Sequence, residues 1–305
     1  MKKSLFLILL FLMYQVIAGV LAQVWSHLSN GGADMHVAQA MNMPSATVLG
    51  VSMLVSMALV LCLLFALKLV RRNPWQTIAQ AETQTAGEGQ ERHLATLLFP
   101  KKKWEAKTIK GRPVNAAGWG MAVAGFVVLS LGLNFLMSSF DLNDHGLQKL
   151  FEGMKDSVPC LFLLSVAGPV FEELVFREGV LRQLVYSRRK SAPQTGGMNL
   201  LWATITSALC FGIIHGNLPQ GIAAFMLGLA LGLCYCRTGN IVLCSVLHVV
   251  NNSMAVALMF LPGVNNILEN QSAAVSWALG LPCVAIGAVL LVWMYLSDYF
   301  TKKNK

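Results

Sequence analysis

The chain has 305 residues, of which 55% are hydrophobic and only 12% charged, with a mean hydropathy of +0.59 and a formal net charge of +9. A soluble domain carries about 25% charged residues, so this composition excludes an ordinary soluble protein, and the continuous apolar runs exclude the alternating pattern of a membrane barrel. The basic surplus is uneven and has no aromatic-plus-basic recognition motif beside it, which argues against nucleic acid and for anionic lipid headgroups at the cytoplasmic face.

These constraints predict an all-α polytopic membrane protein of about eight transmembrane helices. The first apolar span covers 4–22, after Lys2 and Lys3. Its sequence, MKKSLFLILLFLMYQVIAGVLA, also fits a signal peptide cut after Ala22, which would leave seven spans. The 23–44 loop has no Lys or Arg, and the second span covers 45–70. The 71–113 loop is strongly basic, with a polar linker over 80–92 and a stretch, FPKKKWEAK, suited to lie on headgroups. The third span, 114–139, precedes a loop in which Asp141, Asp144 and His145 read as solvated surface, not as a metal site. The remaining spans cover 158–182, 200–216, 219–237, 241–261 and 273–296.

Basic and non-basic loops alternate at every crossing, and the tail ends on Lys302, Lys303 and Lys305. Both termini are therefore expected in the cytoplasm. The chain divides into N-terminal helices (1–70), the basic cytoplasmic loop (71–113), the third helix with its outer loop (114–157), a core (158–261), and the last helix with its basic tail (262–305). Short inside loops and the MKK start suggest a bacterial inner membrane. The seven cysteines read as small buried hydrophobes, and the Cys234-x-Cys236 pair lacks a second pair for a metal.

Charge in the hydrocarbon region costs several kcal/mol unless paired or hydrated, so it marks function. Three spans carry it. The fourth contains GPVFEELVFREGVL, with Glu172, Glu173 and Arg177. The fifth ends CFGIIHGN, with His215. The seventh contains LHVVNNS, with His248, Asn251 and Asn252. Glu173 and Arg177 are i and i+4, a favourable order for an internal salt bridge. Glu172 is turned about 100° away and must find its partner elsewhere. His248 and Asn252 share a face, as do Phe211 and His215. A carboxylate beside a histidine can activate water, which Glu172 with His215 would do. A second histidine with an amide can stabilise an oxyanion, which His248 with Asn252 would do. Two histidines and a glutamate are also a zinc ligand set, so Glu172, His215 and His248 form a possible metal site. A proton relay through Glu172 and His215, or haem ligation by the two histidines, leaves more of the pattern unexplained.

In order, the three motifs resemble those of the CAAX-protease and bacteriocin-processing family of intramembrane proteases: E-E-x-x-x-R at Glu172–Arg177, F-x-x-x-H at Phe211–His215, and H-x-x-x-N at His248–Asn252. The resemblance covers 158–261. It implies an eight-helix core with a water-accessible cavity and an endopeptidase that cuts a membrane peptide or lipidated protein tail. Glu172 and His215 would activate water, and His248 and Asn252 would form the oxyanion hole. Glu173, Arg177 and Phe211 would support them. The family's mechanism is read either as metal-free or as zinc-dependent. A member can also lack activity and serve as a membrane peptide- or lipid-binding or immunity protein. The chain departs from the pattern at Glu178, which stands where the family has glycine after the arginine; pairing with Arg182 at i+4 is the expected role of this extra carboxylate. Asn251 and Asn252 compete for the amide role, and spacing favours Asn252.

Overall fold

A computed structural model of the chain describes residues 2–29, 45–71, 73–76, 109, 114–140, 153–186, 198–261, 263 and 271–303. Its long elements are helices: α1 (Lys2–Ser29), α2 (Ala46–Ala66), α3 (Ala116–Ser138), α4 (Val158–Val185), α5 (Leu200–Ile213), α6 (Leu218–Thr238), α7 (Ile241–Met259) and α8 (Ala273–Lys303). No strand occurs among the described residues. The protein is an all-α polytopic membrane protein, and every helix except α5 is long and apolar enough to cross a bilayer. The 80–92 linker, the FPKKKWEAK stretch and Asp141, Asp144 and His145 lie outside the described residues.

The fifth predicted span, 200–216, is shorter than expected. α5 has 14 residues, which rise about 21 Å against a hydrocarbon core of about 30 Å. Gly216, at φ 74°, takes a left-handed conformation that cannot continue the helix. Asn217 then caps α6, its side chain accepting from Gln220 N at 2.9 Å, with Pro219 in the first turn. α5 starts beside the end of α4, where Met198 N donates to Leu184 O at 2.9 Å. The helix ends there, and near its close the Phe211 ring meets both His215 and His248 of α7.

α4 is the central helix, packed against α1, α5 and α7. From α1 come Leu7, Phe11 and Tyr14, spaced to form one buried face. Phe11 stacks on Phe171 at 5.5 Å, and Tyr14 meets Phe171 edge-on at 5.2 Å. α4 is wound unevenly. Leu163–Ala167 and Leu174–Leu181 are π-helical and flank the regular turn Gly168–Glu173. Pro169 supplies the reason for the first. It has no N–H, so the normal ladder breaks and Gly168 N reaches back to Leu163 O. The carbonyls left over are met from α7: Asn252 Nδ2 donates to Leu164 O at 3.1 Å, and Ser253 Oγ donates to Ser165 O at 3.5 Å. In the second stretch Ser207 Oγ of α5 donates to Phe176 O at 3.0 Å.

Candidate active site

The charged residues of α4 are buried. Glu173 and Glu178 are fully covered, and Arg177 is 1% exposed. Such burial is tolerable only with partners, and the structure supplies them. Arg177 Nε lies 3.0 Å from Glu173 Oε2, the i,i+4 pair read from the sequence. Arg177 Nη2 donates to Gly228 O of α6 at 3.3 Å, and the guanidinium carbon sits 4.8 Å from the centre of the Phe211 ring.

His248 of α7 lies between the two glutamates. Its Nδ1 is 2.9 Å from Glu173 Oε1, and its Nε2 is 3.6 Å from Glu172 Oε2. A carboxylate accepts only, so Nδ1 carries the proton in the Glu173 bond. Glu172 differs from its neighbour. Its side chain is 19% exposed and has no cation from its own helix.

His215 stands just past the end of α5. Its Nδ1 is 2.8 Å from Phe211 O, which again makes Nδ1 the donor and leaves Nε2 as the free ring nitrogen. The Phe211 ring meets His215 at 4.9 Å and His248 at 5.8 Å, edge-on to both. One aromatic ring thus touches both histidines and the arginine. Among the described residues no hydrogen bond or ion pair joins Glu172 to His215; the carboxylate's histidine neighbour is His248.

The two asparagines separate clearly. Asn251 turns to α3, where Ser130 Oγ donates to its Oδ1, and its Nδ2 donates to Asn252 Oδ1 at 3.0 Å. Asn252 faces α4 through Leu164 O. One of its two amide hydrogens is engaged there, and among the described residues the other is open. No three His, Cys, Asp or Glu side chains among the described residues gather as a metal ion requires. Glu172, His215 and His248 therefore do not fit a zinc centre as they stand.

Glu178 has more partners than the sequence predicted. Arg182 Nε lies 3.0 Å from its Oε1, as the i+4 spacing implied. Arg71, beyond the end of α2, adds Nε at 2.6 Å to Oε1 and Nη2 at 3.1 Å to Oε2, and the Tyr235 hydroxyl of α6 donates to Oε2 at 2.5 Å. Burial alone would lower the Arg71 pKa; the Glu178 hydrogen bond and charge reverse that and hold it above its ordinary value. Sequence reasoning placed Arg71 in a basic loop and gave Tyr235 no role, because no local spacing links residues so far apart.

Residues 155–254, which contain Glu172, His215, His248 and Asn252, match the family model described as type II CAAX prenyl endopeptidase Rce1-like. A Bacillus subtilis (strain 168) protein named "Putative membrane peptidase YdiL" is 22% identical over 196 residues, which cover 61% of this chain and 75% of that protein. No solved structure matches.

Proposed function

Starting from a chain that belongs, through its 155–254 region, to the CAAX-protease family of membrane peptidases, we propose that it is an intramembrane endopeptidase hydrolysing a peptide bond in a membrane-associated peptide or lipidated protein tail. The observation that carries this reading is the single imidazole of His248 set between two adjacent carboxylates. Glu173 is fully buried and committed to Arg177 and His248. Glu172 is the partly exposed carboxylate and the base. It takes a proton from water as the water oxygen bonds to the scissile carbonyl carbon, and later gives that proton to the leaving amine. The free Nε2 of His215 accepts from the same water and orients it.

A proton on His248 Nε2 and the second amide hydrogen of Asn252 would donate to the oxyanion. No step runs through a metal, because the candidate ligands do not converge. A non-cleaving member that binds a membrane peptide is the second reading. It is favoured by the Asn252 amide, which is already half engaged on Leu164 O.

The test is a quenched fluorescent peptide library presented to the purified protein and to Glu172→Gln, with and without chelator. Cleavage by the native protein that survives chelation and falls by about 100-fold or more in the variant is expected. Cleavage retained by Glu172→Gln rejects the base. Cleavage abolished by chelator and restored by zinc rejects the metal-free route.

A further inference from the structure

The Glu178 cluster is not used by the chemistry above, and its charge does not balance. Two guanidinium groups, Arg71 and Arg182, converge on one carboxylate oxygen, Glu178 Oε1, at 2.6 and 3.0 Å. Tyr235 adds a neutral donor. Among the described residues one positive charge is left over.

That surplus has directions in which to act. Among the described residues Arg182 uses only its Nε, toward Glu178 Oε1 and Glu178 O, so both terminal nitrogens lack a partner there, and its side chain is 19% exposed. Arg71 binds through its backbone N, Nε and Nη2, the last also donating to Pro74 O at 3.0 Å, and its Nη1 is buried; Arg71 therefore contributes charge, and Arg182 presents the open donors. Unmet guanidinium donors in a low-dielectric setting are costly unless an acceptor meets them.

The level of the cluster narrows the acceptor. Arg71 follows the end of α2 by five residues, and Arg182 lies three residues before the end of α4. Trp75, about half exposed, and Tyr186 stand at the same ends. Aromatic side chains and arginines at the ends of spans mark the headgroup layer. At that depth the abundant anion is a phosphodiester, whose oxygens match a guanidinium fork.

We propose that Arg71 and Arg182 form a binding site for the phosphate of an anionic lipid, with Glu178 and Tyr235 fixing the two guanidinium groups. This goes beyond the peptidase reading and does not depend on it. Glu178, the carboxylate that holds both arginines, stands where the motif pattern has glycine. Two arginines held on a buried carboxylate are presented rigidly, unlike free loop lysines, so the site should distinguish an anionic from a zwitterionic headgroup.

The test needs no substrate. The purified full-length protein in a neutral detergent is titrated with dioleoyl-phosphatidylglycerol, with dioleoyl-phosphatidylcholine, and with inorganic phosphate, and thermal unfolding is followed. Phosphatidylglycerol should raise the Tm by several degrees more than phosphatidylcholine. Arg182→Gln should lose most of that difference, and Arg182→Lys should retain part of it. Lys302→Gln/Lys303→Gln, in the basic tail, should leave it intact. A shift produced equally by inorganic phosphate assigns the site to phosphate in general and overturns the lipid assignment. Equal shifts for the two lipids, or a full difference retained by Arg182→Gln, overturns the site. Should Arg182→Gln fail to fold, native mass spectrometry of the Arg182→Lys protein decides: fewer retained phosphatidylglycerol molecules than the native protein supports the site, and equal retention overturns it.

Discussion

Glu172 and Glu173 are neighbours in sequence with opposite duties, and burial separates them. Glu173 holds Arg177 at 3.0 Å and His248 at 2.9 Å with none of its surface exposed. Replacing it with Gln leaves Arg177 a buried cation without a counter-charge, a change that costs about 3–5 kcal/mol. Glu172 has no such dependent, so Glu172→Gln should change stability by less than about 1 kcal/mol. Thermal unfolding of the two purified variants checks this: a large drop for Glu173→Gln and almost none for Glu172→Gln. Equal drops would show that Glu172 is structural too, and would weaken its place as the base. The Glu173–Arg177 pair was legible from i,i+4 spacing alone. The bridge through His248 was not, because it joins residues 75 positions apart through the packing of α7 on α4. The sequence pairing of Glu172 with His215 rested on the water chemistry of a carboxylate and a histidine; the neighbour it did not foresee is His248, 3.6 Å from Glu172.

At the scale of the element, α4 shows what periodicity leaves out. Its apolar run, its charges and Pro169 are all visible in the sequence, and a proline inside a helix predicts a disturbance. The form of the disturbance depends on its neighbours. Here it is a π-wound turn whose free carbonyls are met by Asn252 and Ser253. α5 failed for a related reason: Ile213 and Ile214 prolong the apolar pattern, but Gly216 at positive φ and the Asn217 cap end the helix. The winding of α4 sets the angle at which Glu172 and Glu173 meet α7. Pro169→Ala restores an N–H and removes the clash, so α4 can rewind to a regular ladder. The isolated helix gains from this, as proline is about 3 kcal/mol worse than alanine in a helix interior. The carboxylates, however, rotate off His248. The variant should therefore insert and fold with undiminished thermal stability yet cleave at least about tenfold more slowly. Undiminished cleavage would mean that the π turn does not position the site.

Across the whole molecule, the bundle is closed by a pair of helices that carry none of the motifs. Among the described residues α3 and α8 pack more extensively than any other helix pair. Apolar side chains alone give little drive for association in lipid, so close backbone approach must supply it. Glycines at 125 and 132 on α3 face glycines at 280 and 287 on α8, each pair seven residues apart. A Cβ on Gly287 would stand 2.5 Å from Leu129 N and 2.7 Å from Gly125 O, and one on Gly132 would stand 2.7 Å from Val284 N. These obstacles are backbone atoms that cannot swing aside. Gly287→Leu must therefore push α3 and α8 apart, and overpacking of this kind costs about 1–3 kcal/mol or more. Gly120, on α3 with nothing within 4 Å of its Cβ position, provides the control, and Gly120→Leu should be neutral. The strain should remain largely in the seam, because α4 is fixed to the site by α1, α5 and α7, and α3 reaches α7 at the Ser130–Asn251 hydrogen bond, not at Asn252. Unfolding in detergent should show a clear drop in Tm for Gly287→Leu alone, while the molecules still folded at low temperature cleave at close to the native rate. A Tm as high as that of Gly120→Leu would show that the two helices do not approach through their glycines. Loss of cleavage in still-folded protein would show instead that the seam and the site form one mechanical unit.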